Sequence, residues 1–120
     1  MSIVRLFVFI LLAVLSGSGL AVAQKFPTKP VTLVVPFSPG GNSDIVGRAL
    51  AQKLAEVWGQ PVVVENKPGA TTTIGAAYAA KATPDGYTLL LAPPPFIITQ
   101  YVYPNLTYDT RKNFQPVSLV

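Results

Sequence analysis

The 120-residue sequence contains no cysteine and no histidine. Without cysteine there is no disulfide framework and no thiolate nucleophile. Without histidine the usual general base near neutral pH is missing, and the two absences together remove most transition-metal ligands. Charge is scarce as well, at 12% of residues. The basic residues form no run longer than Arg111-Lys112 and are not interleaved with aromatics, which excludes the clustered basic face that nucleic-acid binding needs. Three further signatures are missing. No Gly-Lys-Ser/Thr is present, Gly40 and Gly41 are adjacent where a dinucleotide fingerprint would alternate, and no Gly-x-Ser-x-Gly elbow presents Ser38 or Ser43 as a nucleophile. No catalytic residue, cofactor or metal site is expected from this chain.

Long apolar runs are also lacking. The longest, Leu6 to Leu15, is about half the roughly 20 residues that a bilayer requires. It follows Arg5, precedes Ser16-Gly17-Ser18-Gly19 and ends near the small residues Ala21-Val22-Ala23. That order predicts a secretory signal over residues 1–23, cleaved after Ala23. No cysteine follows to carry a lipid, so a soluble exported protein is expected. Eight basic residues then face five acidic ones, and residues 24–120 suffice for a single domain with a modest core.

What is present is organised around one turn. The β-branched run Val31-Thr32-Leu33-Val34-Val35 stops at Pro36, bends through Pro39-Gly40-Gly41 and enters a segment with helical spacing. Asn42 or Ser43 is placed to cap that helix, with Asp44 in its first turn. Val46, Leu50, Leu54 and Val57, flanked by Ile45 and Ala49, predict the core face, and Arg48, Gln52, Lys53 and Glu56 lie elsewhere. Gly59 and Pro61 end the helix.

The pattern then repeats. Val62-Val63-Val64 reads as a buried parallel strand, followed by a second Pro-Gly loop over residues 65–73 and a helical segment through Ile74, Ala77, Tyr78 and Lys81. Tyr87 to Leu91 is a third strand, which leaves through Pro93-Pro94-Pro95 into a short apolar stretch from Phe96 to Val102. A fourth strand is expected from Phe114 to Val120, and the chain is expected to be a fragment of a longer protein. Three β-loop-α units predict an α/β fold with a doubly wound parallel sheet, whose loops at 36–44, 65–73 and 92–96 share one edge.

The chemistry left open is an anion clamp built from main-chain donors. The first N–H groups of a helix have no intrahelical partner, and glycine lets an anion approach them without a Cβ in the way. Three or four hydrogen bonds to a carboxylate, at ~1.5–3 kcal/mol each, reach the roughly 8 kcal/mol that micromolar affinity requires. No buried arginine is needed. From these residues alone, a mere connection in an α/β domain remains an equal alternative.

Phe26-Pro27-Thr28-Lys29-Pro30, Pro36-Phe37-Ser38-Pro39-Gly40-Gly41-Asn42-Ser43-Asp44, Glu65-Asn66-Lys67-Pro68-Gly69-Ala70, Ile74-Gly75-Ala76 and Pro84-Asp85-Gly86-Tyr87-Thr88-Leu89-Leu90, in that order, closely resemble the tripartite tricarboxylate transporter substrate-binding proteins, also called Bug receptors. The resemblance implies the first lobe, incomplete here, of a two-lobed periplasmic-binding-protein clamshell of type II. It implies a periplasmic receptor that takes a small carboxylate to membrane transporter subunits, is not an enzyme, and is monomeric when complete. Carried over by motif, the ligand-binding positions are Phe37, Ser38, Pro39, Gly40, Gly41, Asn42 and Asp44 in the first loop, and Asn66, Pro68, Gly69, Ala70, Thr71 and Thr72 in the second. Two departures stand out: Thr71-Thr72-Thr73 replaces the usual Gly-Gly-Asn, and Pro93-Pro94-Pro95 replaces small hydroxyl residues. The competing expectations are an α/β enzyme domain acting on phosphorylated or acyl substrates with its catalytic residues elsewhere, and an inactive truncated copy.

Overall fold

The computed structural model describes residues 25–120. The expected signal segment and its cleavage site after Ala23 lie outside the described residues. Three strands, β1 (Val31–Val35), β2 (Val62–Asn66) and β3 (Thr88–Leu90), form one parallel sheet in the order β2-β1-β3. Val31 pairs with Val62 and Val35 with Asn66, and Leu33 pairs with Leu89 on the other side. The expected parallel α/β sheet is therefore present. β1 is central and its apolar run is buried almost throughout, as a strand covered on both faces should be.

Helices cover both faces. α1 (Asn42–Trp58) packs on the face that carries Leu33 and Val35, where Ala51 closes the cluster with Leu50, Val62, Val64, Leu89 and Leu91 around it. α2 (Thr73–Ala80) and α3 (Pro95–Val102) lie on the other face, where Ala76, Phe96 and Tyr108 form a second cluster with Leu90 and Phe114. The chain passes from β2 on one side of β1 to β3 on the other. Strand order thus reverses between β1 and β3, and the loops leaving all three strands open on the carboxyl edge.

The helix register differs from the expected one. The residues of α1 buried on the sheet are Asp44, Gly47 and Ala51, while Ile45, Val46 and Val57 are exposed. The cause is close approach at Gly47, where a Cβ would stand 2.8 Å from Val35 Cγ2. Small residues mark the contact face here, and the larger apolar side chains flank it. Asp44 reaches the interior because its carboxylate finds partners there.

The ends of α1 follow their local chemistry only in part. Gly59 adopts φ 67° and its N–H closes on the Ala55 carbonyl at 2.9 Å, as a glycine C-cap should. At the other end the helix begins one residue before Ser43, its cap is Gly41, and no side chain caps it. The expected capping by Asn42 or Ser43 is absent because the chain reaches Gly41 already extended, and Asn42 becomes the first helical residue.

The end of the chain follows expectation in part. The apolar stretch after the three prolines is helical and completes the third β-loop-α unit, since a proline in the first turn loses no intrahelical hydrogen bond. The expected fourth strand does not form: residues 114–120 have no regular structure. Phe114 instead turns edge-on to Phe96 and Tyr108, at 5.1 and 5.9 Å between ring centroids, and the residues beyond it are exposed without a strand to pair with. At the opposite edge of the sheet, Phe26 packs between Trp58 and Tyr87 at 6.0 and 5.0 Å. The Tyr87 hydroxyl accepts the Thr28 N–H at 2.9 Å, which fastens the lead-in segment beneath β1.

Candidate functional site

The corner between β1 and α1 leaves main-chain donors unused. Among the described residues, the N–H groups of Gly41, Asn42 and Ser43 make no hydrogen bond, as the first turn of an uncapped helix dictates. They border a depression of ≈ 310 Å³ lined by Phe37, Ser38, Pro39, Gly41, Asn42 and Ser43. The two glycines divide the work. Gly40 has φ 84° and supplies the bend. Gly41 is extended, and a Cβ there would meet only the Ser38 carbonyl, at 3.6 Å, so its hydrogen is what keeps the approach to the amides open.

Beneath this corner three side chains form a closed ring. Asp44 Oδ2 accepts the Gly40 N–H and Arg48 Nε, both at 2.9 Å, and its Oδ1 accepts Asn66 Nδ2 at 2.8 Å. Arg48 Nη2 donates to Asn66 Oδ1 at 3.1 Å, and Asn66 Nδ2 also reaches the Phe37 carbonyl at 3.1 Å. The first loop is therefore held at Phe37 and at Gly40, on either side of its exposed residues. The Arg48 hydrogen bond above all, then those from Gly40 and Asn66, hold the Asp44 carboxyl down to about 2 from 3.8. Its charge is permanent at neutral pH and is matched by a single guanidinium.

The second loop sits on the same edge because β1 and β2 run parallel, and it continues the ladder with Lys67 N–H on the Val35 carbonyl at 2.9 Å. The helix that follows is seated closely against both loops: a Cβ on Gly75, within α2, would lie 2.7 Å from Pro36 Cβ and 2.9 Å from the Lys67 carbonyl. Gly69, Ala70, Thr71 and Thr72 have φ of 123, 44, 51 and 79°, a left-handed run that includes two β-branched residues. The threonine hydroxyls are engaged inside the protein or buried. Thr73 Oγ1 donates to the Ala70 carbonyl at 2.9 Å, Thr71 Oγ1 lies 3.3 Å from Tyr103 Oη, and Thr72 Oγ1 is buried without a partner.

Of the positions carried over by motif, Phe37, Ser38, Pro39, Gly41 and Asn42 line the depression. Gly40, Asp44 and Asn66 lie behind it in the hydrogen-bond ring, and Pro68, Gly69, Ala70, Thr71 and Thr72 do not line it. Ser43, inside the first-loop motif, also lines the depression. Arg48, which the helical pattern places off the core face, completes the ring, and its four-residue spacing from Asp44 is the sequence signal for it. A larger open hollow of ≈ 410 Å³ lies between the end of α3 and residues 103–111. It contains none of the corner residues, and the smaller depression is the one at the first N–H groups of α1.

The parallel sheet with helices on its two faces is an α/β lobe that matches part of solved periplasmic binding proteins. The chain belongs to the tripartite tricarboxylate transporter receptor family: residues 46–120 match the family described as "Tripartite tricarboxylate transporter family receptor". Protein BugT of Bordetella pertussis is 41% identical over 100 residues, covering 82% of this chain and 31% of that protein. A UPF0065 protein of Agrobacterium vitis is 43% identical over 115 residues, covering 95% of this chain and 33% of its own. Among solved structures, MatC from Rhodopseudomonas palustris with bound malate is similar at TM-score 0.68 and 40% identity, over 77% of this chain and 32% of that one. A second R. palustris protein, solved with adipate, is similar at TM-score 0.53 and 46% identity, over 54% of this chain and 22% of its own. The chain thus spans about a third of the length of the curated relatives it matches. The family is one of receptors, and a similar solved structure is the periplasmic binding protein BugD, so the expectation of an enzyme domain is set aside.

Proposed function

We propose that this chain is the N-terminal part, residues 24–120, of the substrate-binding domain of an exported periplasmic receptor, preceded by a signal over residues 1–23. The receptor captures a small carboxylate and passes it to the membrane subunits of a tripartite tricarboxylate-type transporter. The observation that carries this reading is the set of three unpaired N–H groups at Gly41, Asn42 and Ser43 beside an open depression. Their geometry suits a carboxylate oxygen, which accepts several donors at once, and the positive end of the α1 dipole favours it further. The relatives solved with malate and adipate support the same ligand class. Phe37, Ser38, Pro39, Gly41 and Asn42 would face the ligand directly, and Gly40, Asp44 and Asn66 would set the corner's shape. Pro68 to Thr72 would approach the ligand from the second loop.

Calorimetric titration of the full-length gene product with malate, adipate and the uncharged adipamide tests the proposal. The acids should bind and the amide should not; binding confined to the amide would refute it. The Gly41→Val variant refines the test. The extended backbone there accepts a β-branched residue, so the fold should survive while the side chain covers the amides and affinity falls at least tenfold.

A further inference from the structure

An anion site at the start of α1 faces an obstacle of the protein's own making. Asp44 is in the first turn of that helix, 3% exposed, with its carboxylate directly behind the loop whose amides are unpaired. A fixed negative charge there repels an incoming carboxylate, and low local polarity strengthens the repulsion. The carboxylate is nevertheless built in, because it takes the Gly40 N–H at 2.9 Å and, through Asn66, steadies Phe37. Among the described residues, the cation paired with it is Arg48, one helical turn further on, at 2.9 Å. Arg48 also donates to Asn66, so two of its nitrogens are committed to the ring.

We propose that Arg48 is the positioning residue that makes this corner receptive to carboxylates: it cancels the Asp44 charge beneath the amides while leaving Gly41, Asn42 and Ser43 free to donate. The inference rests on the carboxylate-receptor reading above. It assigns to Arg48 a task different from gripping the ligand. The cation acts through Asp44, from behind the loop, and the ligand meets main-chain donors over a locally neutral base. Selectivity for anions then depends on the balance of the pair and not on the presence of arginine as such.

The test is a charge-balance cycle in the full-length gene product. Arg48→Gln leaves Asp44 unbalanced, and affinity for adipate should fall by about tenfold or more, the effect of one uncompensated charge a few ångströms from the ligand. Adding Asp44→Asn to Arg48→Gln removes the unbalanced charge, although an asparagine cannot accept from both Gly40 and Asn66 as the carboxylate does, and affinity should recover at least about threefold over Arg48→Gln. Arg48→Lys keeps the charge but not both hydrogen bonds, and should likewise bind more tightly than Arg48→Gln. Thermal melts establish that each variant is folded. If Arg48→Gln does not fold, the two charge-balanced variants still decide the matter, since weak binding by both overturns the proposal. A double variant as weak as Arg48→Gln overturns it too, and would mean that Arg48 grips the ligand itself. A native protein that binds no carboxylate would instead refute the receptor reading, a result separable from either.

Discussion

Asn66, the last residue of β2, donates its side-chain amide to Asp44 Oδ1 at 2.8 Å and to the Phe37 carbonyl at 3.1 Å, so neighbouring βα corners share one clasp. The parallel register that sets Asn66 opposite Val35 makes this possible. Replacing Asn66 with leucine preserves its bulk and removes both donations. Leaving the half-buried Phe37 carbonyl without its donor costs about 1–3 kcal/mol. Urea unfolding should show that loss, and titration with adipate should show weaker binding because the first loop is no longer held at Phe37. Unchanged stability would mean that water replaces the amide without cost.

The Asp44 carboxyl has a folded pKa of about 2 against an ordinary 3.8. A group whose pKa is depressed by folding stabilises the native state above its unfolded value, and that contribution disappears as pH falls through the folded one. Stability should therefore decline between about pH 4 and about pH 2 as Arg48, Gly40 and Asn66 lose their charged partner. The Asp85 and Asp109 carboxyls are also lowered, chiefly by the Tyr87 and Arg111 N–H groups respectively, and they add to the same acid limb. Asp44→Asn should flatten that limb, as read by denaturation followed with circular dichroism at a series of pH values. An acid limb identical to that of the native protein would show that the ring contributes nothing through this carboxylate.

Glycines at two helix contacts should differ in their tolerance of alanine. At Gly47 the new methyl would stand 2.8 Å from Val35 Cγ2, a stiff β-branched side chain with no exposed surface. Overpacking of that kind costs about 1–3 kcal/mol, from which roughly 1 kcal/mol is recovered because alanine favours the helix. At Gly75 the methyl would meet backbone, with Pro36 Cα at 3.0 Å and the Lys67 carbonyl at 2.9 Å, so α2 would have to move away from both loops. Gly75→Ala should thus lower both the unfolding midpoint and carboxylate affinity, and by more than Gly47→Ala. Equal effects would contradict the close seating of the two corners.

The division between legible and hidden features has a physical basis. Runs of β-branched residues specify strands, and parallel strands place their exit loops on one edge, so β1, β2 and the shared edge follow from pattern; the expected burial of Val62-Val63-Val64 does not, because β2 is at the edge of the sheet and Val63 is exposed. The face of α1 is hidden in the sequence because apolar size does not mark it. The structure uses Gly47 and Ala51 as the contact and leaves Val46 and Val57 outside. The role of Asp44 was hidden for a related reason. A carboxylate in a first helical turn normally faces water and offsets the dipole, and only the meeting of Arg48 and Asn66 in space makes its burial tolerable. The third β-loop-α unit is legible despite the triple proline, because a proline in the first turn is compatible with a helix.

The left-handed run in the second loop invites relief. Thr71 has φ 51° and ψ 52°, a conformation that costs about 1–2 kcal/mol for a side chain with a Cβ, and more than one such residue is adjacent. Glycine adopts it freely but gives up roughly 0.5–1 kcal/mol through the greater freedom of the unfolded chain. Thr71 is exposed and its hydroxyl makes only a 3.3 Å contact with Tyr103, so little else is lost. Thr71→Gly should therefore be neutral or stabilising by up to about 1 kcal/mol, although the substitution removes a β-branched residue in favour of the most flexible one. Thr72→Gly relieves the same kind of strain at φ 79° and also removes a buried hydroxyl that has no partner, but it deletes a side chain with only 2% of its surface exposed. The gain there should be smaller, because the space vacated beside α3 is not refilled. Thermal unfolding of both variants measures the order. If both are destabilised by more than 1 kcal/mol, the left-handed run is held by packing strong enough to outweigh its strain, and the threonines are structural supports of the second corner.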